Sequence, residues 1–63
     1  MNLISIIIPV YNEELNIPLV CKETDFFVKD NYELIFVDDG STDKTLLAIE
    51  EQTKRSVHIK CIS

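Results

Sequence analysis

Two short stretches concentrate the residue types that bind or react. Ser5-Ile6-Ile7-Ile8-Pro9-Val10-Tyr11-Asn12-Glu13 ends one apolar run in a polar, aromatic corner. Tyr32-Glu33-Leu34-Ile35-Phe36-Val37-Asp38-Asp39-Gly40-Ser41 ends a second in two adjacent carboxylates. A carboxylate at such a place can accept hydrogen bonds from a base N–H or a ribose hydroxyl, or hold a divalent cation. Tyr11 can stack on a planar ring, which is worth about 1–3 kcal/mol per base, and Glu13 adds a further acceptor. Open parallel sheets bind ligands at the carboxyl ends of their strands, so two ends with this chemistry imply a small-molecule pocket. Successive side chains of an extended segment point to opposite sides. Of Asp38 and Asp39, one can therefore face a ligand while the other tethers local backbone.

The same residues also have purely structural uses. Asp38 and Asp39 suit a turn leading into a helix, Tyr11 suits packing, and Glu13 and Glu14 are favourable charges near a helix N-terminus. Spacing alone leaves both readings of the aspartates open, and the presence of Tyr11 in the same corner favours a site. Gly40, the sole glycine, suits a backbone that needs positive φ or close approach of a ligand. One glycine cannot build G-x-G-x-x-G or G-x-x-x-x-G-K-[ST], which excludes the dinucleotide fingerprint and the P-loop. His58 has no Ser, Cys or Asp at a useful spacing and is read as a sheet or solvent-side residue. Ser5, Ser56 and Ser63 lack any nucleophile-elbow context.

The elements that must position these residues follow from periodicity. Residues 3–10 are nearly continuous β-branched and aliphatic, the pattern of a strand buried on both faces. Residues 17–28 carry apolar pairs at Leu19/Val20 and Phe26/Phe27, one heptad apart, as expected of a helix with one buried face. Asn16 serves as its N-cap and Pro18 falls in the first turn, where a missing N–H breaks no bond. Asp30-Asn31 breaks the chain before a second strand, residues 32–37. Gly40-Ser41-Thr42-Asp43 then forms a turn with three cap residues, and Leu46, Ile49 and Thr53 recur at helical spacing to about Lys54. Residues 56–62 alternate Val57, Ile59 and Cys61 against His58 and Lys60 as a short third strand. The order β-α-β-α-β predicts right-handed crossovers and a parallel sheet.

Composition narrows the class. The chain has 63 residues, 46% hydrophobic and 27% charged, which is globular rather than disordered. A formal charge of -5, from six Lys+Arg against eleven Asp+Glu, disfavours nucleic acid as a partner. Cys21 and Cys61 are far apart with no C-x-x-C spacing, and they read as reduced core thiols of an intracellular protein. No apolar stretch approaches the roughly 20 residues of a membrane span, and the Met1 region has no signal-peptide pattern. A single core of this size seldom supplies more than about 3–5 kcal/mol. Three strands and two helices also leave a parallel sheet short of cover. Residues 1–63 are therefore expected to be the incomplete amino-terminal part of a larger domain, and the isolated piece to self-associate.

Taken together, the two motifs and the Asn12-Glu13-Glu14 and Asn16-Ile17-Pro18 details resemble the amino-terminal signature of glycosyltransferase family 2. They look most like its polyprenyl-phosphate branch, the dolichol-phosphate mannosyltransferase and bactoprenol glucosyltransferase type. The resemblance spans the entire chain. It implies a three-layer, Rossmann-like parallel sheet, the β-α-β-α-β amino-terminal part of a GT-A fold. It also implies an inverting transfer of sugar from a nucleotide-diphospho-sugar, UDP- or GDP-linked, to polyprenyl phosphate or a glycan acceptor in the making of cell-envelope polysaccharide. Carried over by residue, Pro9, Tyr11 and Glu13 line the nucleotide from the first strand, and Val37 and Asp39 close it from the second, with Asp39 accepting from the base. Asp38 orders the turn, and Ser41 to Asp43 start the second helix. The family's Mg²⁺ or Mn²⁺ offsets charge on the leaving diphosphate, but its D-x-D ligands, the catalytic base, the acceptor site and any membrane-anchoring helices are expected beyond these residues. No metal ligand and no catalytic residue is assigned here, and the fragment alone is expected to be inactive. The implied location is the cytoplasm, or the cytoplasmic face of a membrane where carboxyl-terminal helices are present. Two other classes fit less well: a receiver-like signalling domain, whose acidic pair belongs after the first strand rather than the second, and a non-enzymatic α/β interaction module.

Overall fold

The strand that leads into the two aspartates lies at the centre of the sheet. The computed structural model describes residues 3–28 and 31–63. The Met1 segment and Asp30 of the expected Asp30-Asn31 break lie outside the described residues. The elements run β1 (Ile4–Val10), α1 (Ile17–Phe27), β2 (Tyr32–Asp38), α2 (Thr45–Arg55) and β3 (Ile59–Ile62). The sheet is parallel throughout, in the order β1-β2-β3. This is the α/β, Rossmann-like pattern that alternating strands and helices predict.

Strand order decides where the helices go. Two crossovers of the same hand that step in the same direction deposit both helices on the same face of the sheet. The core lies on that face, where Val10, Tyr32, Leu34, Phe36 and Ile59 of the sheet meet Ile17 and Cys21 of α1 and Ile49 of α2. β2 shows the asymmetry along its whole length. Tyr32, Leu34, Phe36 and Asp38 are buried, while Glu33, Ile35 and Val37 between them are only half-buried. The described residues thus build two layers, sheet and helices, and no described element covers the opposite face.

That geometry corrects the expectation of a first strand buried on both faces. β1 is an edge strand, and Ile7, which points away from the helices, is 64% exposed. Ile6 and Ile8, on the covered side, are half-buried, and Val10 is buried. The near-continuous aliphatic run is real, but only one of its faces meets a partner here.

The helix faces also differ from those read by heptad. Along α1 the inward positions are Ile17, Val20, Cys21, Thr24 and the following Val28, at i, i+3, i+4, i+7 and i+11, whereas Leu19, Phe26 and Phe27 are exposed. Of the two apolar pairs, only Val20 of the first turns inward, and neither Phe26 nor Phe27 does. Asn16 occupies the N-cap position without capping, since its carboxamide instead donates to Glu13 Oε2 at 2.7 Å. Pro18 does fall in the first turn. On α2 the buried face is Thr45 and Ile49, flanked by Leu46, Ala48, Gln52 and Thr53. Val57, expected in the third strand, precedes it and is exposed. His58 lies against Tyr32, with ring centroids 5.1 Å apart and Nδ1 3.0 Å from the Tyr32 carbonyl oxygen, a sheet-edge role.

Candidate functional site

Register brings the two chemically rich corners together. Pro9 pairs with Val37 and Val10 with Asp38. The Asp39 N–H donates to the Val10 carbonyl at 3.1 Å, which carries the ladder one residue past the end of β2. Alternation then sorts the side chains. Val10 and Asp38 turn to the helix side and are buried, while Pro9, Val37 and Asp39 fall on the open face.

The two aspartates therefore do different things. Asp38 Oδ1 accepts from the Ser41 N–H at 3.4 Å and from the Ser41 hydroxyl, closing the turn around Gly40. Gly40 sits at φ 74°, in the left-handed region that glycine enters without strain. A Cβ there would meet nothing within 4 Å, so conformation rather than space demands the glycine. Asp39 is exposed, and its carboxylate has no hydrogen-bond partner among the described residues.

Tyr11 stands just past β1 and is 55% exposed, with its ring available for stacking. Glu13 is placed differently from the other four predicted residues. Its Oε2 is taken by Asn16, and it borders a shallow surface hollow with Asn12, Glu14, Leu15, Asn16 and Asp43. Four of the five expected site residues thus occupy the open carboxyl edge of β1 and β2, and Glu13 flanks it from the start of α1.

A set of hydrogen bonds that sequence reasoning did not identify holds the two loops against each other. The Asn12 N–H donates to Ser41 Oγ at 2.9 Å, and the Ser41 hydroxyl passes on to Asp38. The Glu13 N–H donates to Thr45 Oγ1 at 2.8 Å, and the fully buried Thr45 hydroxyl passes on to Asp43 Oδ1. Asn12 Oδ1 accepts from the N–H groups of Thr42 at 2.8 Å and Asp43 at 3.3 Å. Each hydroxyl both accepts and donates, so every member of the two relays is satisfied. Asp43 also accepts from the Thr45 N–H at 2.9 Å and acts as the cap of α2, one residue from the assigned boundary. Asn12 adopts φ 53°, a left-handed conformation that Asn tolerates better than most residues. An Asn directly after an aromatic strand end was the sequence signal for it, legible only once its partners at 41–43 are known.

Electrostatics follow these bonds. The hydrogen bonds from Thr45 hold the Asp43 carboxyl below the usual Asp value of 3.8. Lys60 Nζ, 2.8 Å from Glu33 Oε2, and the Ser5 hydroxyl lower Glu33 in the same way at the amino end of the open face. Burial pushes the Cys21 thiol up to about 11 and raises Cys61 as well, so neither is a ready thiolate. Among the described residues, no three His, Cys, Asp or Glu side chains converge as a metal site. Asp38 and Asp43 are engaged by hydroxyls and backbone, so the residues present do not form a metal-binding set. No described helix is long and apolar enough to cross a membrane.

Residues 5–63 match the family described as Glycosyl transferase family 2. The chain belongs to glycosyltransferase family 2. Among curated relatives, it is similar to a dolichyl N-acetyl-alpha-D-glucosaminyl phosphate 3-beta-D-2,3-diacetamido-2,3-dideoxy-beta-D-glucuronosyltransferase of Methanococcus voltae. The two are 50% identical over 58 residues, covering 87% of this chain and 18% of the relative. An undecaprenyl-phosphate 4-deoxy-4-formamido-L-arabinose transferase of Proteus mirabilis is 44% identical over 54 residues, 81% of this chain and 17% of its own length. The uncharacterized glycosyltransferase YkcC of Bacillus subtilis is 43% identical over 61 residues, 92% of this chain and 19% of its own length. This family 2 chain therefore spans less than a fifth of each of these three relatives.

Proposed function

We propose that this chain holds the nucleotide of a nucleotide-diphospho-sugar within an inverting glycosyltransferase that delivers the sugar to polyprenyl phosphate. The observation that carries the reading is the Asp39 carboxylate, without a hydrogen-bond partner among the described residues, beside Pro9, Val37 and the exposed Tyr11 at the carboxyl edge of a parallel sheet. Names of relatives support a polyprenyl-linked acceptor, since the Proteus mirabilis protein is an undecaprenyl-phosphate transferase and the Methanococcus voltae protein is named for a dolichyl N-acetyl-glucosaminyl phosphate.

In this reading Tyr11 stacks on the base and Asp39 accepts from a base N–H. Pro9 and Val37 form the apolar floor that excludes water from that hydrogen bond, and Glu13 borders the nucleotide from the side of α1. The acceptor oxygen attacks the anomeric carbon from the face opposite the diphosphate. The bond from that carbon to the diphosphate oxygen breaks, and the nucleoside diphosphate departs. A divalent cation such as Mg²⁺ or Mn²⁺, for which the described residues form no site, would offset the charge on that diphosphate. Residues 1–63 then act as the nucleotide-holding part of a larger domain at the cytoplasmic face of a membrane, and in isolation the unpaired edge of β1 drives self-association.

The test is calorimetric titration of the protein with UDP, UDP-sugars and GDP-sugars, with and without Mn²⁺, repeated with Asp39→Ala. Loss of at least about tenfold in affinity, equivalent to about 1.4 kcal/mol, is expected in the variant. Unchanged affinity would remove Asp39 from the site.

A further inference from the structure

Asn12 touches both halves of the candidate site without belonging to the row of residues assigned to the nucleotide. We propose that Asn12 is a positioning residue that fixes the separation between the two strand-end loops, and so between Tyr11 and Asp39. The inference rests on the nucleotide reading above and adds to it the device that sets the width of the site.

Three features carry it. First, the Asn12 carboxamide oxygen gathers the N–H groups of Thr42 and Asp43 and lies 3.4 Å from the Thr42 hydroxyl. These donors belong to the loop leading into α2, where backbone N–H groups have no partner within the helix. Second, the backbone of Asn12 is itself held, because its N–H donates to Ser41 Oγ at 2.9 Å. The residue is thus bonded to the opposite loop through both main chain and side chain. Third, its φ of 53° turns the chain sharply between Tyr11 and Glu13, sending one toward the strand ends and the other toward α1.

Geometry separates its role from those of its neighbours. Asp38 tethers its own loop, to a residue three positions along, and Asp43 holds the start of α2 while accepting a long bond, 3.5 Å, from the Glu14 N–H. Asn12 spans 29 to 31 positions and bonds the opposite loop through its backbone N–H and its side-chain acceptor together, whereas the side chains of Ser41, Thr45 and Asp43 cross the gap only as acceptors of backbone N–H groups. Without that acceptor, loop 40–43 keeps its internal turn and its bonds to the backbone N–H groups of Asn12, Glu13 and Glu14, but the Thr42 and Asp43 N–H groups lose the partner that draws them toward Tyr11. A ring stacked on Tyr11 and a base N–H directed at Asp39 need both ends of one planar ligand matched at once, so a small displacement of either loop costs affinity without touching a contact residue.

The experiment compares Asn12→Gly, which keeps the left-handed backbone and removes the acceptor, with Asn12→Asp, which keeps both. UDP and GDP titrations are read by calorimetry, and amide hydrogen exchange is followed at Thr42 and Asp43. Asn12→Gly is expected to weaken nucleotide binding about tenfold, the equivalent of one or two net hydrogen bonds, and to lose protection at both amides. Asn12→Asp is expected to restore binding to within about threefold of the starting protein. Ser41→Ala, which removes the acceptor of the Asn12 N–H together with a hydroxyl donor to Asp38, reads the main-chain half of the same tether, with about a threefold loss expected, if the glycine variant does not fold. Wild-type affinity in Asn12→Gly overturns the positioning role while leaving the nucleotide reading standing. Equal loss in Asn12→Gly and Asn12→Asp overturns it too, because the amide group would then touch the ligand itself. Absence of UDP and GDP binding in the unsubstituted protein overturns the nucleotide reading first, and this role with it.

Discussion

The two faces of the sheet differ more than any two elements of the chain. The covered face, with Leu34 and Phe36 fully buried against Ile17 and Ile49, holds the fold together. The open face carries Ile7, Pro9, Ile35, Val37 and Asp39 in a row that no described element covers. Alternation along a strand assigns every residue to one face or the other, so adjacent residues of similar type acquire unrelated roles. Asp38 closes a turn, and Asp39 is left for a ligand.

The sharpest test of this division is at its centre. Phe36→Ala is expected to cost about 3–5 kcal/mol, because it empties a fully enclosed position. In a domain this small that approaches the whole stability. Denaturant unfolding measures it, and a loss below about 1 kcal/mol would show that the covered face does not hold the fold in the way described.

Next in size is the place where the covered side reaches the loops. Thr45→Val preserves shape but leaves the Glu13 N–H without its acceptor and Asp43 without its hydroxyl donor. The expected cost is about 1–3 kcal/mol, with increased hydrogen exchange at Glu13 in the same experiment. Unaltered exchange there would break the relay.

A pH series sharpens the same junction. The Asp43 carboxyl is held below 3.8 by its bonds to Thr45. Its contribution is therefore present above the unfolded-state value and is lost as pH falls through the lowered folded-state value. Stability should decline with acidification less steeply in Asp43→Asn than in the unsubstituted protein, as read by unfolding midpoints from neutral pH to below 3.8. Parallel curves would contradict the assignment.

Smallest of all is the effect expected on the open face. Ile7→Ala removes a side chain that is already 64% exposed and is expected to stay within about 0.5 kcal/mol of the starting stability. A core-sized loss would mean that this face is covered after all.

Much of this was legible in the sequence, for reasons that particular residues make plain. Periodicity gave all five elements in order, and Pro18 and Gly40 fell where their backbone chemistry requires. The burial of β1 was misjudged because an all-aliphatic strand does not reveal whether it sits at a centre or an edge. Strand order is a long-range property that the run of isoleucines does not encode. The pairing of Phe26 and Phe27 suggests an inward face, yet α1 turns Cys21 and Thr24 toward the core instead. The bonds that Asn12 and Thr45 make between the loops are not legible in the sequence because they cross 29 or more positions, whereas the local spacings that identify caps and turns extend over only a few.

The central claim is that Asp38 and Asp39 are divided between structure and ligand. Carboxyl carbon resonances of both residues, followed by NMR as UDP or GDP is added, test it most directly. Asp39 is expected to shift in a saturable way while Asp38, buried and bonded to Ser41, stays in place. A saturable shift confined to Asp38, or a response at neither carboxyl, would contradict it.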